Sequence, residues 1–213
     1  MHNLTYRLQV VKKMAATPIN PDPIPVRVLG ASRHRLAAWL MLLTLWFMGH
    51  SLALAQLKPG QTAPVFKAPA ALAGETFTFD LTAALAEGPV VVYFYPKAFT
   101  SGCTIEAQMF AQAIDDFKKQ KTTVVGVSTD DIETLKTFST GPCGGKFAVA
   151  ADNDQSIMKA YDAALKIWPG VADRISYAIA PDGSIIDVYE SLSPEDHVKR
   201  TLAAVSRWQA AQK

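Results

Sequence analysis

The chain is 213 residues long, which is enough for one domain with a well-buried core. Its formal charge of +2 combines two regions of opposite sign. Residues 1–55 hold six Lys or Arg and one acidic residue, whereas residues 56–213 hold fifteen Lys or Arg and eighteen Asp or Glu. The longer region is therefore mildly acidic, which argues against nucleic acid as its main partner.

The N-terminal region is expected to direct export. Residues 1–32 include the Pro-rich stretch TPINPDPIP and are predicted to be a disordered extension. Residues 33–55 form a basic cluster, an uncharged apolar run and a final ALA, typical of a cleaved signal peptide. An uncleaved membrane anchor is the alternative, because the apolar run 36–55 could span a bilayer. In both cases the charges before the run predict that residues 56–213 lie outside the cytoplasm, in the periplasm if the signal is cleaved.

Residues 56–213 are predicted to form one α/β domain. The predicted strands are apolar or β-branched runs, and the predicted helices repeat apolar residues every three or four positions. In chain order these are strand 76–81, strand 90–95, helix 105–117, strand 122–128, a short helix around 135–138, strand 147–151, helix 157–165, strands 175–180 and 184–190, and a closing helix capped by Ser193 with Pro194 as its first residue.

The two last strands flank Pro181-Asp182-Gly183, a turn signal that predicts a hairpin. Alternating strands and helices followed by a hairpin and a helix are the order of a thioredoxin-like fold, with a central mixed sheet between helices. In such sheets the functional site lies where a strand ends and a helix begins.

Cys103 lies at such a junction, in the segment YFYPKAFTSGC. The partial positive charge and unpaired N–H groups of a helix N-terminus stabilise a thiolate. Gly102 leaves backbone amides open to an incoming molecule, Thr100 offers a hydroxyl, and Pro96 fixes the turn. An inert buried cysteine is the alternative, which the polar, glycine-containing turn disfavours.

The remaining residue types narrow the chemistry. Beyond the apolar run the only histidine is His197, predicted to be solvated, so we expect no Cys–His pair, catalytic triad or His-based metal site. The segment GPCGGK around Cys143 is not a phosphate loop, because Phe follows the Lys, and is predicted to be mobile. Arg174, just before strand 175–180, is the cation expected beside Cys103, with a solvated arginine as the alternative.

The segment PKAFTSGC matches P-x-x-x-T-x-x-C, the active-site motif of peroxiredoxins. Together, FYPKAFTSGCT and DRISYAIAPDG resemble the Q-type, or bacterioferritin comigratory protein-like, branch of the alkyl hydroperoxide reductase/thiol-specific antioxidant family. The resemblance covers about residues 58–210. It implies a monomeric thiol peroxidase that needs no metal or organic cofactor and uses a thioredoxin-like or other thiol as reductant. The substrates it implies are hydrogen peroxide and organic hydroperoxides.

The resemblance also implies a role for each site residue. Cys103 would be the peroxidatic cysteine. Its attack on a peroxide would convert it to a sulfenic acid. Pro96 would shield it, and Thr100 and Arg174 would bind the peroxide oxygens. Glu106 is similar to an acidic residue that orients the arginine in related branches, although a solvated first-turn acid is the alternative.

Many Q-type members carry a resolving cysteine five residues after the first, where this chain has Gln108. Other members resolve from the region of Cys143, so the resemblance implies an intramolecular Cys103–Cys143 disulfide. The alternatives are a one-cysteine enzyme reduced by an outside thiol and a static structural disulfide. At the level of function, the alternatives are an exported thiol–disulfide oxidoreductase, which the absence of C-x-x-C disfavours, and a non-catalytic thioredoxin-fold adaptor at the membrane.

Overall fold

The structure is a computed structural model that describes residues 57–212. The predictions made for residues 1–32 and 33–55 lie outside the described residues. Within 57–212, no helix combines the length and the apolar character that crossing a membrane requires.

The described residues form nine strands and five helices. The strands are β1 (Lys67–Leu72), β2 (Glu75–Asp80), β3 (Val90–Phe94), β4 (Thr123–Ser128), β5 (Ala148–Ala151), β6 (Ala164–Leu165), β7 (Trp168–Ala172), β8 (Ile175–Ile179) and β9 (Ile185–Glu190). The helices are α1 (Leu81–Glu87), α2 (Ser101–Lys119), α3 (Ile132–Thr140), α4 (Ser156–Ala160) and α5 (Glu195–Ala211).

Seven strands form one sheet in the order β2-β1-β5-β4-β3-β8-β9. Strands β3, β4 and β5 run parallel to one another, and the other neighbours pair antiparallel. Strands β6 and β7 pair separately, just before β8. The predicted central mixed sheet between helices is therefore confirmed.

Strand β3 is buried on both faces of the sheet, as its unbroken apolar sequence predicts. Val92 and Phe94 face the cluster that includes apolar residues of α1 and α4, whereas Val91 and Tyr93 face the cluster that includes α2, α3 and α5. Full burial of a side chain of this kind contributes about 1.5–3 kcal/mol. The strand is thus a rigid support for the turn PKAFTSG that follows it.

Two predicted boundaries were wrong. The helix predicted over 157–165 ends at Ala160, because Asp162 adopts a left-handed conformation with φ 51°, and Leu165 lies in β6 instead. The closing helix begins at Glu195, with Pro194 as its N-cap residue. The Ser193 hydroxyl donates to the Glu195 carboxylate and so does not cap the helix backbone.

Candidate active site

Cys103 is the third residue of α2, and only 1% of it is exposed. Its sulfur is a free thiol. Thr100 is the N-cap residue, with φ −71° and ψ 153°, so the free N–H groups of the first helical turn lie next to Cys103. These groups carry the partial positive charge that favours an anion at this end of a helix.

Arg174 places a full positive charge beside this thiol. Strand β8 pairs antiparallel with β3, with Ile175 opposite Phe94, so the start of β8 lies at the end of β3 that leads to the helix. Arg174 Nη2 lies 3.4 Å from Cys103 Sγ. Gly102 permits this approach, because a Cβ there would lie 3.0 Å from Nη2. Arg174 is 5% exposed, so the alternative of a solvated arginine is wrong.

Glu106 lies one helical turn after Cys103 and is fully buried, so the alternative of a solvated acid is also wrong. Its carboxylate forms an ion pair with Arg174 Nη1. Burial raises the pKa of Glu106, and the charge of Arg174 and its hydrogen bond oppose this shift. Burial also works against the charge of Arg174, but Glu106 and Cys103 outweigh it and raise the pKa of Arg174. Because a buried pair gains little net stability, its main effect here is to fix the guanidinium.

A hydrogen bond to another segment of the chain holds the turn between β3 and α2. Pro96, half-buried, opens the turn, and the Ala98 N–H donates to the Asp130 carboxylate at 2.7 Å. The exposed Thr100 hydroxyl donates to the Lys97 carbonyl at 2.9 Å, so it is directed into the turn and not toward the sulfur. The structure therefore brings Arg174, Glu106 and Cys103 together, whereas the Thr100 hydroxyl is bonded within the turn.

His197 was predicted to be solvated, and that prediction was wrong, because the residue is fully buried. Its Nε2 lies 2.9 Å from the Ser191 carbonyl oxygen, and its Nδ1 lies 2.8 Å from Ser176 Oγ. Nδ1 is also 3.7 Å from Glu106 Oε1. Burial lowers the pKa of His197, so the ring is neutral at pH 7. His197 is therefore a residue near the site that was not predicted from the sequence.

Cys143 is fully buried in the segment that follows α3, and it is also a free thiol. Burial raises its pKa to about 12. Cys143 and Cys103 belong to the same buried cluster, together with Tyr93 and Tyr95. Burial raises the pKa values of both phenols, and a charge on either cysteine would raise them further.

Backbone hydrogen bonds hold the segment that carries Cys143. The Cys143 N–H donates to the Phe138 carbonyl at 3.2 Å, and the Gly145 N–H donates to the Ser139 carbonyl at 2.8 Å. The buried Ser139 hydroxyl in turn accepts from the Gly74 N–H at 3.0 Å. The segment consists of ordered turns in this state, and its predicted mobility stays a prediction.

The arrangement at Cys103 suits one kind of chemistry. The thiolate is the nucleophilic form of a cysteine, and both a guanidinium and a helix N-terminus stabilise negative charge placed beside them. The same guanidinium can stabilise charge that develops on an oxygen leaving from the attacked atom. The structure therefore supports nucleophilic attack by Cys103 on a small, polar electrophile.

Comparisons with known proteins agree with this chemistry. A model of the AhpC/TSA family matches residues 59–188. The curated Peroxiredoxin Bcp of Escherichia coli K12 is 31% identical over 147 residues, covering 66% of this chain and 90% of that protein. The chloroplastic Peroxiredoxin Q of Sedum lineare is 33% identical over 115 residues, covering 54% of this chain and 61% of the relative.

Solved structures give the same answer for the fold. The peroxidoxin BcpB of Mycobacterium tuberculosis matches with a TM-score of 0.65 at 26% identity, over 71% of this chain and 98% of that chain. The bacterioferritin comigratory protein of Xanthomonas campestris matches with a TM-score of 0.60 at 26% identity, over 72% and 98%. The thioredoxin-like fold is confirmed by these likenesses. The chain therefore belongs to the AhpC/TSA family, in the branch of the Bcp and Q-type peroxiredoxins, and is a thiol-dependent peroxidase.

Proposed function

We propose that Cys103 is the peroxidatic cysteine and that Arg174 activates it and binds the peroxide. The observation that carries this proposal is the 3.4 Å distance between Arg174 Nη2 and Cys103 Sγ, in a site where both groups are buried. Low polarity around such a pair strengthens its electrostatic interaction relative to water. An activating cation of this kind removes the need for a general base beside the thiol.

In the proposed step, the Cys103 sulfur forms a bond to one peroxide oxygen while the O–O bond breaks. The sulfur is oxidised to a sulfenic acid, and the leaving oxygen takes up a proton to become water or an alcohol. Arg174 stabilises the negative charge on the leaving oxygen. The Thr100 hydroxyl stands at the edge of the site and can turn from the Lys97 carbonyl to contact a bound oxygen.

Two further residues support this step without touching the peroxide bond. Glu106 holds Nη1 of Arg174, so that Nη2 is directed at the sulfur. Pro96 opens the turn that leads to Cys103, has no N–H, and is proposed to shield the thiol. The role of Glu106 is supported by its contact with Arg174, and that of Pro96 by its place in the motif around Cys103.

The proposed substrates are hydrogen peroxide and organic hydroperoxides. An alkyl peroxide reduction activity is recorded for the Xanthomonas campestris relative. In this chain, Phe99 and Ile105 flank the helix start and are 51% and 45% exposed. Exposed apolar side chains beside the reactive thiol give an alkyl group a surface to contact.

We propose that Cys143 resolves the sulfenic acid. Its thiol sulfur would bond to Cys103 Sγ, releasing the oxygen as water and leaving an intramolecular disulfide. Cys143 is buried and its pKa is raised to about 12, so it is unreactive until the segment around it opens. The two Cα atoms must come within about 7 Å, which we expect to require local unwinding. An outside thioredoxin-like reductant would then reduce the disulfide.

The sequence supports a proposal about location and assembly. Residues 33–55 have the pattern of an export signal, so we propose an exported, monomeric enzyme with Gln56 as the mature N-terminus. Membrane attachment through residues 36–55 is the alternative. N-terminal sequencing of the protein recovered from a periplasmic fraction distinguishes the two, and sedimentation of the same material measures its assembly.

The test of resolution compares Cys143→Ser with the wild-type chain under a few equivalents of peroxide. The proposal expects the variant to lose activity faster, to gain about 32 Da at Cys103 from two added oxygens, and to form no intramolecular disulfide. Intact mass and disulfide mapping measure all three. Equal resistance to over-oxidation in both proteins would remove Cys143 from the mechanism and leave a one-cysteine enzyme.

A further inference from the structure

We infer that His197 is a positioning residue of the peroxidase site, which holds the Ser191–Leu192 segment against which the Arg174 guanidinium is aligned. The inference rests on the proposed role of Arg174 at Cys103. It assigns to a buried histidine, outside the motif around Cys103, a part in the peroxide reaction.

Two consecutive carbonyl groups link the histidine to the arginine. The Ser191 carbonyl accepts from His197 Nε2–H at 2.9 Å, and the next carbonyl, that of Leu192, accepts from Arg174 Nε–H at 3.1 Å. The Ser191 N–H also donates to the Arg174 carbonyl at 3.2 Å. The segment is thus bound to Arg174 at the backbone and at the guanidinium, and to His197 between these two points.

The orientation of the imidazole is fixed by its second nitrogen. A carbonyl oxygen can only accept, so Nε2 carries the hydrogen and the neutral ring accepts at Nδ1 from the Ser176 hydroxyl, 2.8 Å away. Ser176 lies in β8, two residues after Arg174, which directly precedes that strand. His197 therefore spans from the strand that Arg174 precedes to the segment that aligns the guanidinium.

The ring also faces the acid that pairs with Arg174. Glu106 Oε1 has no hydrogen-bond partner among the described residues and lies 3.7 Å from His197 Nδ1. The charges of Arg174 and Asp196 act on the ring in opposite directions, and Tyr189 contacts it edge-on with 4.8 Å between ring centres. A neutral ring suits this position, because an imidazolium would compete with Arg174 for the carboxylate.

A histidine with a purely structural role would affect stability and leave the reaction of the folded enzyme unchanged. A positioning role has a second consequence, because a small displacement of an aligned group can cost up to about 10²-fold in rate. The two roles therefore differ in the rate at which folded, reduced Cys103 reacts with hydrogen peroxide.

The experiment measures that rate by quenched flow and intact mass on the full chain, for His197→Phe and His197→Gln. Phe removes both hydrogen bonds of the ring, whereas the Gln amide can still donate to the Ser191 carbonyl. We expect Phe to slow the reaction by about 10-fold or more and Gln to keep it within about 3-fold of wild type.

Thr201→Val is the matched control. Thr201 is buried one turn further along the same helix, and its hydroxyl donates only to helix carbonyls, those of His197 at 2.8 Å and Val198 at 3.2 Å. Its substitution should lower stability and leave the peroxide rate unchanged. A matching loss of rate in this control would show a general effect of the helix and overturn the inference.

The double variant Arg174→Ala/His197→Phe separates the inference from the proposal on which it rests. If His197 acts through Arg174, the double variant reacts no more slowly than Arg174→Ala alone. A slow Arg174→Ala with a normal folded His197→Phe would overturn the inference alone. A normal Arg174→Ala would refute the role of Arg174 and the inference with it. If His197→Phe does not fold, a Gln variant as slow as Arg174→Ala, despite its retained donor, overturns the inference.

Discussion

The two cysteines are almost equally buried, at 1% and 0% exposed, yet their surroundings differ in charge. Cys103 meets the Arg174 guanidinium at 3.4 Å and a helix N-terminus, whereas Cys143 lies in an apolar, aromatic environment whose effect is to raise its pKa to about 12. Burial alone favours the neutral thiol, and a cation at contact distance favours the thiolate. The two cysteines therefore differ in the charge that lies next to the sulfur and not in their exposure.

The largest expected effect tests whether Cys103 attacks the peroxide while Cys143 acts only on the sulfenic acid that forms. Cys103→Ser should retain the fold and lose peroxide reduction to below about 1% of wild type, because no other nucleophile stands beside the cation. Cys143→Ser should still reduce one equivalent of peroxide. Single-turnover peroxide consumption measures both. Turnover by Cys103→Ser above that level would refute the mechanism.

The next effect concerns the raised pKa of Cys143. With a pKa of about 12, only about one molecule in 10⁴ carries the thiolate at pH 8. Alkylation of Cys143 by iodoacetamide should therefore be about 10³-fold slower in the folded protein than in urea, and should accelerate as pH rises toward 12. The folded state holds the Cys143 proton more tightly than the unfolded state, so the free energy of unfolding falls as pH rises from about 9 to 12.

Peptide mapping after timed alkylation gives this rate for each cysteine separately. Urea-unfolded protein at the same pH provides the reference. Labelling of Cys143 in the folded chain as fast as in urea would show that its segment opens readily, and the contrast between the two cysteines would then be one of access.

Removing the cation should make the surroundings of Cys103 more like those of Cys143. Arg174→Ala is expected to slow peroxide attack by roughly 10²-fold or more, the scale of losing one donor to the transition state. Arg174→Lys keeps the charge without the fork that contacts Glu106 and Cys103 together, and should recover part of the rate. An Ala variant that reacts at the wild-type rate would exclude the arginine from the mechanism.

The smallest effect concerns the support of the turn. Asp130→Ala leaves the Ala98 N–H without its acceptor, which costs about 1–3 kcal/mol and should slow peroxide attack a few-fold by loosening the turn. The neighbouring Asp131→Ala is the control. It removes the N-cap of α3, bonded to the Thr134 N–H at 2.8 Å, at a cost of about 1 kcal/mol and with no expected change in peroxide attack.

Urea unfolding and single-turnover rates measure both substitutions. Comparable rate losses in the two variants would indicate a general effect of stability. A loss confined to Asp130→Ala would show that the turn itself is aligned by this carboxylate.

The sequence predicted the parts of the site that depend on local order. A buried strand, a turn and an apolar helical period place Cys103 at a helix start, and the position of Arg174 before a neighbouring strand places it at the same edge of the sheet. Glu106 was placed one turn along the helix by spacing alone. These residues lie close together because strand ends and helical turns have fixed geometry.

What was missed depends on tertiary contacts. His197 is buried because Ser176 and Ser191, from two other elements, supply its hydrogen bonds. A signal existed: His197, Thr201 and Ala204 continue a buried stripe along α5 at spacings of four and three. A polar residue on that stripe could be predicted as buried or as solvated, because burial is favourable only when the side chain finds hydrogen-bond partners in the folded structure.

Strand β1 was not predicted, because its residues have weak local preferences for a strand. Strand β1 has the sequence KAPAAL, in which Ala and Pro disfavour strands, and it forms because β2 and β5 pair with both of its edges. The predicted helix over 157–165 failed for the opposite reason. Its apolar spacing continues past Ala160, but the chain turns at Asp162 to form β6.

The hydrogen bonds around Cys143 have a kinetic consequence under the proposed resolution. We expect the bonds from Cys143 to Phe138 and from Gly74 to Ser139 to break before the two sulfurs meet, so that the rate of disulfide formation depends on the local opening of this segment. A second peroxide competes with that opening for the same sulfenic acid. The peroxide concentration at which half of the enzyme is over-oxidised then equals the rate constant of disulfide formation divided by the rate constant of the second attack. Loosening the Gly74–Ser139 contact would raise that concentration, so lower local stability would make Cys103 more resistant to over-oxidation.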